Sequence, residues 1–351
     1  MESLLIRLEL KLNKLKANAR KALVAYLVAG DPDLESTLEL MHGFVSAGVD
    51  VIEVGVPFTD PIAEGPIIQS AHDRSLKKKI TLKKIILLVE EFRKKDSNTP
   101  IILMGYLNTF LAYAEELNNI HNRGVDALLI VDIPGEINLN EVGIYNKSIA
   151  SISLVSPTTS LSRVDEICKS SSGFIYYVTL RGVTGSEDLD IKDAKQNIEN
   201  IRTKTILPIM AGFGIKTSKD AAYLSEVSDG VVIGSSLVEM IHRASDKKDY
   251  KYIYNYLNEI SEAITRTYVI DASTNIEDEV ASLSYTYNLP IMPVIGYPDS
   301  ALVGQYNDIT EKFCFSTVDD AGVSISGVPI RFELSGNAPL KGNLNIIVYK
   351  F

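Results

Sequence analysis

Between Ala22 and Ile264, short apolar runs alternate with longer amphipathic stretches. The runs are ALVAYLVA from Ala22, VDVIEVGV from Val49, IILMGY from Ile101, DALLIVDI from Asp126, IASISLVS from Ile149, GFIYYVTL from Gly173, ILPIMAGF from Ile206 and GVVIGS from Gly230. They are rich in Val and Ile and mostly continuous rather than alternating, as strands buried on both faces read. The stretches between them have helical character: DLESTLELMHGFVSAG, TLKKIILLVEEFRKK, TFLAYAEELNNIHNRG, SRVDEICKS, IKDAKQNIENIR and SKDAAYLSEV. Several end in glycine or a basic last turn, as helix C-termini prefer. Eight strands alternating with helices over this length predict an α/β fold, a (β/α)8 TIM barrel. A doubly wound open sheet competes, but its glycine-rich fingerprint is missing from the first loop, Ala29-Gly30-Asp31-Pro32.

After the last helical stretch, DYKYIYNYLNEISEAITRTY, the pattern changes. Alternating runs KFCFSTV, VPIRFEL and LNIIVYKF, with turn signals at Asp319–Gly322 and Ser335–Asn337, predict hairpin or sandwich strands. The expected division is a barrel over 1–264 and a small all-β C-terminal appendage over 265–351. From Thr265 onward there are 5 basic and 10 acidic residues, so the last quarter carries −5 of the net charge of −10. Such an excess reads first as a solubilising surface and names no partner.

Composition narrows the function classes. Among the 351 residues, 46% are hydrophobic and 23% charged, values ordinary for a globular protein. No apolar run is long enough to span a membrane. The charged amphipathic start, MESLLIRLELKLNKLKANAR, is not expected to be a signal peptide. An acidic balance argues against a nucleic-acid surface, which needs a basic stripe. Cys168 and Cys314 lie too far apart in sequence to form a short metal-ligand motif, and the expected location is the cytoplasm.

In such a barrel the chemistry sits at the C-terminal ends of the strands. Glu53 falls inside the second run, between Ile52 and Val54, and is either a paired structural acid or an acid directed into the barrel mouth. Burying an unpaired carboxylate is costly and raises its pKa, which is what a general acid/base at neutral pH requires. Glu64 follows in a Pro- and Gly-rich loop and, taken alone, reads as a solvated loop acid. Glycines at Arg181–Gly185, Gly212–Gly214 and Gly234–Ser236 follow the sixth, seventh and eighth runs. Together they suggest a phosphate cradle of backbone N–H groups completed by a helix N-terminus. His42, His72, His121 and His242 fall in helical patterns and read as packing or surface residues. Acid/base chemistry by carboxylates on a phosphorylated small molecule remains.

At these residues the sequence resembles the tryptophan synthase α chain family. The stretch Glu53-Val54-Gly55-Val56-Pro57-Phe58-Thr59-Asp60-Pro61 with Gly65-Pro66 and Gln69 is similar to the family's signature. The likeness continues through Gly30-Asp31-Pro32, Tyr106, Asp132-Ile133-Pro134, Tyr176-Tyr177-Val178, Gly182–Gly185, Gly212–Gly214 and Gly234-Ser235, over residues 1 to about 264. It implies a (β/α)8 lyase that splits indole-3-glycerol phosphate into indole and glyceraldehyde 3-phosphate by a retro-aldol reaction. It implies no cofactor in this chain. It also implies a β-chain partner, in an α2β2 complex, that carries pyridoxal phosphate and receives indole through a tunnel. By resemblance Glu53 is the general acid/base, Tyr176 lines the indole pocket, and Tyr26 and Met104 are pocket walls. Gly185, Gly214, Gly234 and Ser235 match the phosphate site, and Thr184 the mobile loop after strand six. Pro57 and Asp60 match the loop that faces the β chain.

One position departs from the family pattern. Where Glu64 stands the family has aspartate, whose carboxylate holds the indole N–H and stabilises the charge developing there. The added methylene moves the oxygens by about 1.5 Å, and misplacement of that order can cost about a hundredfold in rate. Shortening Glu64 to aspartate is therefore expected to raise kcat, unless neighbouring residues have adapted to the longer side chain. Two other readings stay open from sequence: a degenerate barrel that only activates a β chain, and a different phosphate-binding barrel enzyme. The tail is foreign to the family, with a faint likeness to bacterial immunoglobulin-like repeats over Val318–Gly336.

Overall fold

All eight apolar runs fold as strands, and all eight strands pair in parallel. They are β1 (Ala22–Val28), β2 (Val51–Gly55), β3 (Ile101–Gly105), β4 (Ala127–Ile130), β5 (Ala150–Val155), β6 (Ile175–Val178), β7 (Ile209–Gly212) and β8 (Gly230–Ile233). They close in sequence order, with β8 pairing back onto β1, into the predicted (β/α)8 barrel. This is a computed structural model, and it describes residues 7–17, 20–178, 191–212, 214–271, 291–296, 301–307, 312–318, 328–334 and 343–348.

The helices are α1 (Arg7–Ala17), α2 (Leu34–Ser46), α3 (Pro66–Lys77), α4 (Leu82–Arg93), α5 (Leu107–Leu111), α6 (Ala114–Leu117), α7 (Leu161–Ser170), α8 (Ile191–Arg202), α9 (Ser218–Val227), α10 (Ser235–Ala244) and α11 (Lys251–Ile264). Their starts are set by local chemistry. Asp33 accepts from the Ser36 N–H at the head of α2, and Thr217 with Asp220 forms a capping box on α9. The start of α3 lacks a capping signal in the sequence, because its first turn follows Gly65 with a proline and has no side-chain cap. Pro66 at its first position fits, since no backbone donor is needed there. No described helix is long and apolar enough to cross a membrane.

Every residue of β1 and β2 is buried, which accounts for their unbroken apolar reading. Glu53 is the exception in chemistry, though not in burial. Acids at the other end of the strands are paired. Asp126, just before β4, bonds Arg7 and Arg93 and accepts the Ile101 N–H, and Asp50, before β2, pairs with Lys11. The acids that close the bottom of the barrel are thus neutralised, whereas Glu53 has burial alone acting on it.

The chain divides into two compact units, Met1–Lys14 with Ala22–Ala263, and Leu15–Lys21 with Ile264–Phe351. The second holds β9 (Arg266–Asp271), β10 (Ile291–Gly296), β11 (Ala301–Asn307), β12 (Lys312–Val318), β13 (Val328–Leu334) and β14 (Asn343–Val348). They form one six-stranded sheet in the order β12-β11-β10-β13-β14-β9. Only β10 and β13 run parallel; the other neighbours are antiparallel. The three runs read as strands in the tail are β12, β13 and β14. The turn signals between them lie outside the described residues.

Candidate active site

A cavity of about 270 Å³ opens at the C-terminal ends of the barrel strands. Every strand contributes to its wall: Tyr26 from β1, Glu53 from β2, Met104 from β3, Val131 after β4, Leu154 from β5, Tyr176 and Val178 from β6, Gly214 after β7, and Gly234 and Ser235 after β8. The strand-two loop and the first turn of α3 supply Ala63 through Ile68, and Ile215 follows Gly214. Aliphatic and aromatic groups dominate the lining, and two carboxyl groups point into it.

Glu53 is 1% exposed, and its Oε1 has no hydrogen-bond partner among the described residues. Burial pushes its pKa up to about 8. A carboxyl so placed keeps its proton at neutral pH and exchanges it readily. On the adjoining strand Tyr26 stands opposite Glu53 in the register. Tyr176 lies across the barrel, its phenol pushed up by burial and then by the negative charge of Glu53.

Glu64 is only 9% exposed, so it is no solvated loop acid. Burial raises its pKa, and a hydrogen bond donated by the Tyr106 hydroxyl to Oε2 partly offsets that rise. Oε1 is left without a partner among the described residues. The same Tyr106 hydroxyl accepts the Ala63 N–H at 2.9 Å, and the Gln69 amide donates to the Glu64 carbonyl at 2.9 Å. The Tyr106 ring stacks on Phe58, with centroids 4.6 Å apart, and the Phe58 N–H donates to Nδ1 of His72 at 3.0 Å. Burial lowers the His72 pKa to about 4, so the imidazole is neutral and can accept that bond. A chain of contacts from α3 through the loop to the β3 end therefore holds Glu64.

In the sequence Tyr106 stands out only as part of a family likeness; its role is visible once β3 and the strand-two loop come together. Its position directly after β3, at the barrel mouth, is the signal that singles it out. His72 serves packing, as its helical pattern predicts.

At the opposite wall, Gly214 has φ +78°, a left-handed conformation that favours glycine. Gly234 precedes the first turn of α10, and a Cβ there would meet nothing within 4 Å, so the helix N-terminus is open beside Ser235. The Ser236 hydroxyl ties this turn to the Ile215 carbonyl at 2.9 Å. Gly214 and the N-terminus of α10 stand together on this wall of the cavity. Thr184 and Gly185 lie outside the described residues. Tyr26, Glu53, Glu64, Met104, Tyr176, Gly214, Gly234 and Ser235 all line the one cavity, whereas Pro57 and Asp60 do not.

Fold and site together define a (β/α)8 barrel suited to acid/base chemistry on a flat apolar ring that carries an anionic tail. The tryptophan synthase alpha chain family model matches residues 12–265. The chain is 42% identical over 246 residues to the tryptophan synthase alpha chain of Marinobacter nauticus, covering 69% of this chain and 91% of that one. To the protein of the same name from Thioalkalivibrio sulfidiphilus it is 40% identical over 263 residues, covering 74% and 99%. Among solved structures, tryptophan synthase subunit alpha of Legionella pneumophila superposes with a TM-score of 0.68 at 37% identity, over 74% of this chain and 98% of that one. The tryptophan synthase α2β2 complex of Pyrococcus furiosus gives 0.62 at 32% identity, over 69% and 98%. The chain belongs to the tryptophan synthase alpha chain family. It is a lyase, and its reaction is the cleavage of indole-3-glycerol phosphate to indole and glyceraldehyde 3-phosphate.

Proposed function

We propose that Glu53 and Glu64 divide the chemistry of this cleavage between them. The observation that carries the assignment is the buried, unpartnered carboxyl of Glu53 facing the cavity. Protonated Glu53 gives its proton to C3 of the indole ring. The ring becomes a cationic indolenine, which is itself the electron sink, so no further group is needed for bond cleavage. The carboxylate then takes the proton of the hydroxyl next to the ring. The O–H electron pair becomes the carbonyl bond, and the C–C pair returns to the ring as indole leaves. One proton enters and one departs, so the carboxyl ends as it began. Glu64 Oε1 accepts the indole N–H and balances the positive charge on the ring, an effect realised mainly in the transition state. Tyr26, Met104, Leu154 and Tyr176 enclose the ring, and Thr184, from its resemblance to the loop after strand six, closes over it.

The phosphate is assigned to Gly185, Gly214, Gly234 and Ser235, supported by the left-handed Gly214 and the open N-terminus of α10. Gly214→Asp should raise KM by about tenfold or more, because it forces a side chain into a strained conformation and sets a carboxylate against the phosphate. An unchanged KM would place the phosphate elsewhere.

The partner we assign is a tryptophan synthase β chain carrying pyridoxal phosphate, docked on the strand-two loop in an α2β2 complex. The α2β2 assembly of the Pyrococcus furiosus relative supports this. So does the loop's surface: Thr59 and Asp60 are exposed and Ile62 is 83% exposed, while Pro57 is buried within the chain. Pro57 then stiffens the loop from within and Asp60 meets the partner. A cytoplasmic location follows from membership of a biosynthetic family. The expected organisation remains a catalytic barrel over 1–264 with an accessory β unit over 265–351.

Indole release from indole-3-glycerol phosphate, measured with and without β chain, tests the whole reading. Turnover that rises on titration with β chain is expected. Turnover without binding would make this a stand-alone lyase, and binding without turnover a purely activating subunit.

A further inference from the structure

The cavity holds a third unsatisfied polar atom that the chemistry above does not use. Tyr26 is 2% exposed, yet its hydroxyl has no hydrogen-bond partner among the described residues. Its ring is fixed in a cluster with Val28, Ala71 and Val238, and Ile68 and Met104 pack against it. The hydroxyl rests against Gly55, where a Cβ would lie 2.3 Å from the oxygen, so glycine at the end of β2 is what gives it a seat. A buried hydroxyl left without a partner is costly. A buried phenol that lines a cavity and lacks a partner is available to a ligand.

The inventory of polar atoms identifies that ligand group. Between its ring and its phosphate, indole-3-glycerol phosphate has three polar groups: the ring N–H, the hydroxyl next to the ring and a second hydroxyl on the following carbon. Among the described residues, three fully buried side-chain atoms of the cavity wall have no partner: Glu64 Oε1, Glu53 Oε1 and the Tyr26 hydroxyl. Glu64 takes the N–H and Glu53 the reacting hydroxyl, so of these three buried atoms the Tyr26 hydroxyl is the one left for the second hydroxyl. Strand order agrees. In the barrel β1 lies between β8, which leads into Gly234 and Ser235, and β2, which carries Glu53. Tyr26 thus stands between the phosphate wall and the acid, as the second hydroxyl stands between the phosphate and the reacting carbon. Gly55 is also two residues nearer the mouth than Glu53.

We propose that Tyr26 donates a hydrogen bond to the non-reacting side-chain hydroxyl of indole-3-glycerol phosphate, making β1 the element that selects a hydroxylated chain. This goes beyond a wall for the ring, and it rests on the lyase reading above. Tyr26→Phe removes only the hydroxyl. Its kcat/KM should fall by about tenfold, the worth of one buried hydrogen bond. Affinity for an analogue with the same ring and phosphate joined by a plain three-carbon chain, measured by calorimetric titration, should stay within about twofold. Thermal stability should hold or rise, because the variant loses an unsatisfied group. Equal losses with substrate and analogue would reduce Tyr26 to packing, and an unchanged kcat/KM would also overturn the proposal. Should the wild-type chain cleave nothing, the lyase reading fails by itself. Calorimetry with uncleaved indole-3-glycerol phosphate then decides the role of Tyr26, and absence of any binding would remove both.

Discussion

Glu53→Gln is expected to cut the rate of indole release by about 10²–10⁴-fold, the range that a positioned acid/base contributes. Binding of glycerol phosphate should persist, since the phosphate is assigned to the wall formed after β7 and β8, away from Glu53. The pH profile carries the sign. In the free protein Glu53 keeps its proton up to about pH 8. If it acts first as an acid, kcat/KM is level below that pH and falls about tenfold per unit above it. The substrate phosphate, titrating near pH ~6, affects only the acid side. A limb that instead rises through pH 8 would make Glu53 the initial base. Stability should move the other way. Folding raises this carboxyl from an ordinary value of 4.5 to about 8. Below about pH 4.5 it is neutral in both states and costs nothing through ionisation; the penalty grows as pH rises and is constant beyond about 8. Its full size is on the order of 5 kcal/mol. The glutamine variant should therefore gain in Tm over the wild type between pH 5 and 8. A variant that loses activity together with stability throughout that range would point to a structural role for Glu53.

Glu64→Asp is the second large effect, and the expected direction is a loss. With the methylene that sets this chain apart from the family pattern, Oε2 meets the Tyr106 hydroxyl while Oε1 remains in the cavity. Tyr106 is itself held by the Ala63 N–H and by its stack on Phe58. The seat is thus built for glutamate. Withdrawing the carboxylate by one carbon should lower kcat by about a hundredfold while KM changes little, because the lost contact strengthens only as ring charge develops. Tyr106→Phe alone should cost about tenfold, and in the Glu64→Asp background it should cost almost nothing further. Steady-state kinetics of the two single variants and the double variant, with saturating β chain, checks this. A faster aspartate variant would show that glutamate is a handicap which Tyr106 does not repair.

The fold was legible because a parallel barrel imposes a strong pattern. Its strands are buried on both faces, so each reads as an apolar run, and eight such runs separated by helices leave few alternatives. The helical pattern around His72 was legible, but the start of α3 was not, since Gly65 and Pro66 read equally well as loop punctuation. The likeness to one family pointed to both acids and to Gly214, Gly234 and Ser235, which the structure brings to one cavity, while Thr184 and Gly185 lie outside the described residues. In the tail, alternation revealed β12, β13 and β14. Their pairing could not be read, because β10 finds its parallel partner β13 across two intervening strands.

Local sequence by itself determined that Glu53 is buried, since a carboxylate flanked by Ile52 and Val54 in a barrel strand has no route to water. It also determined that glycines close the strand ends where an anion can approach the backbone. Tertiary structure alone decided the state of Glu64 and the seat of Tyr26. Glu64 stands in a segment whose neighbours are Pro, Ala and Gly, and nothing there forecasts burial. Tyr106, 42 positions later in the chain, comes from another strand end to bond it. Tyr26 reads as one more apolar strand residue, and only the bare backbone of Gly55 on the adjoining strand leaves its hydroxyl a place in the cavity. Burial within an element follows its periodicity, whereas the partner of a polar atom depends on which strand ends meet at the barrel mouth.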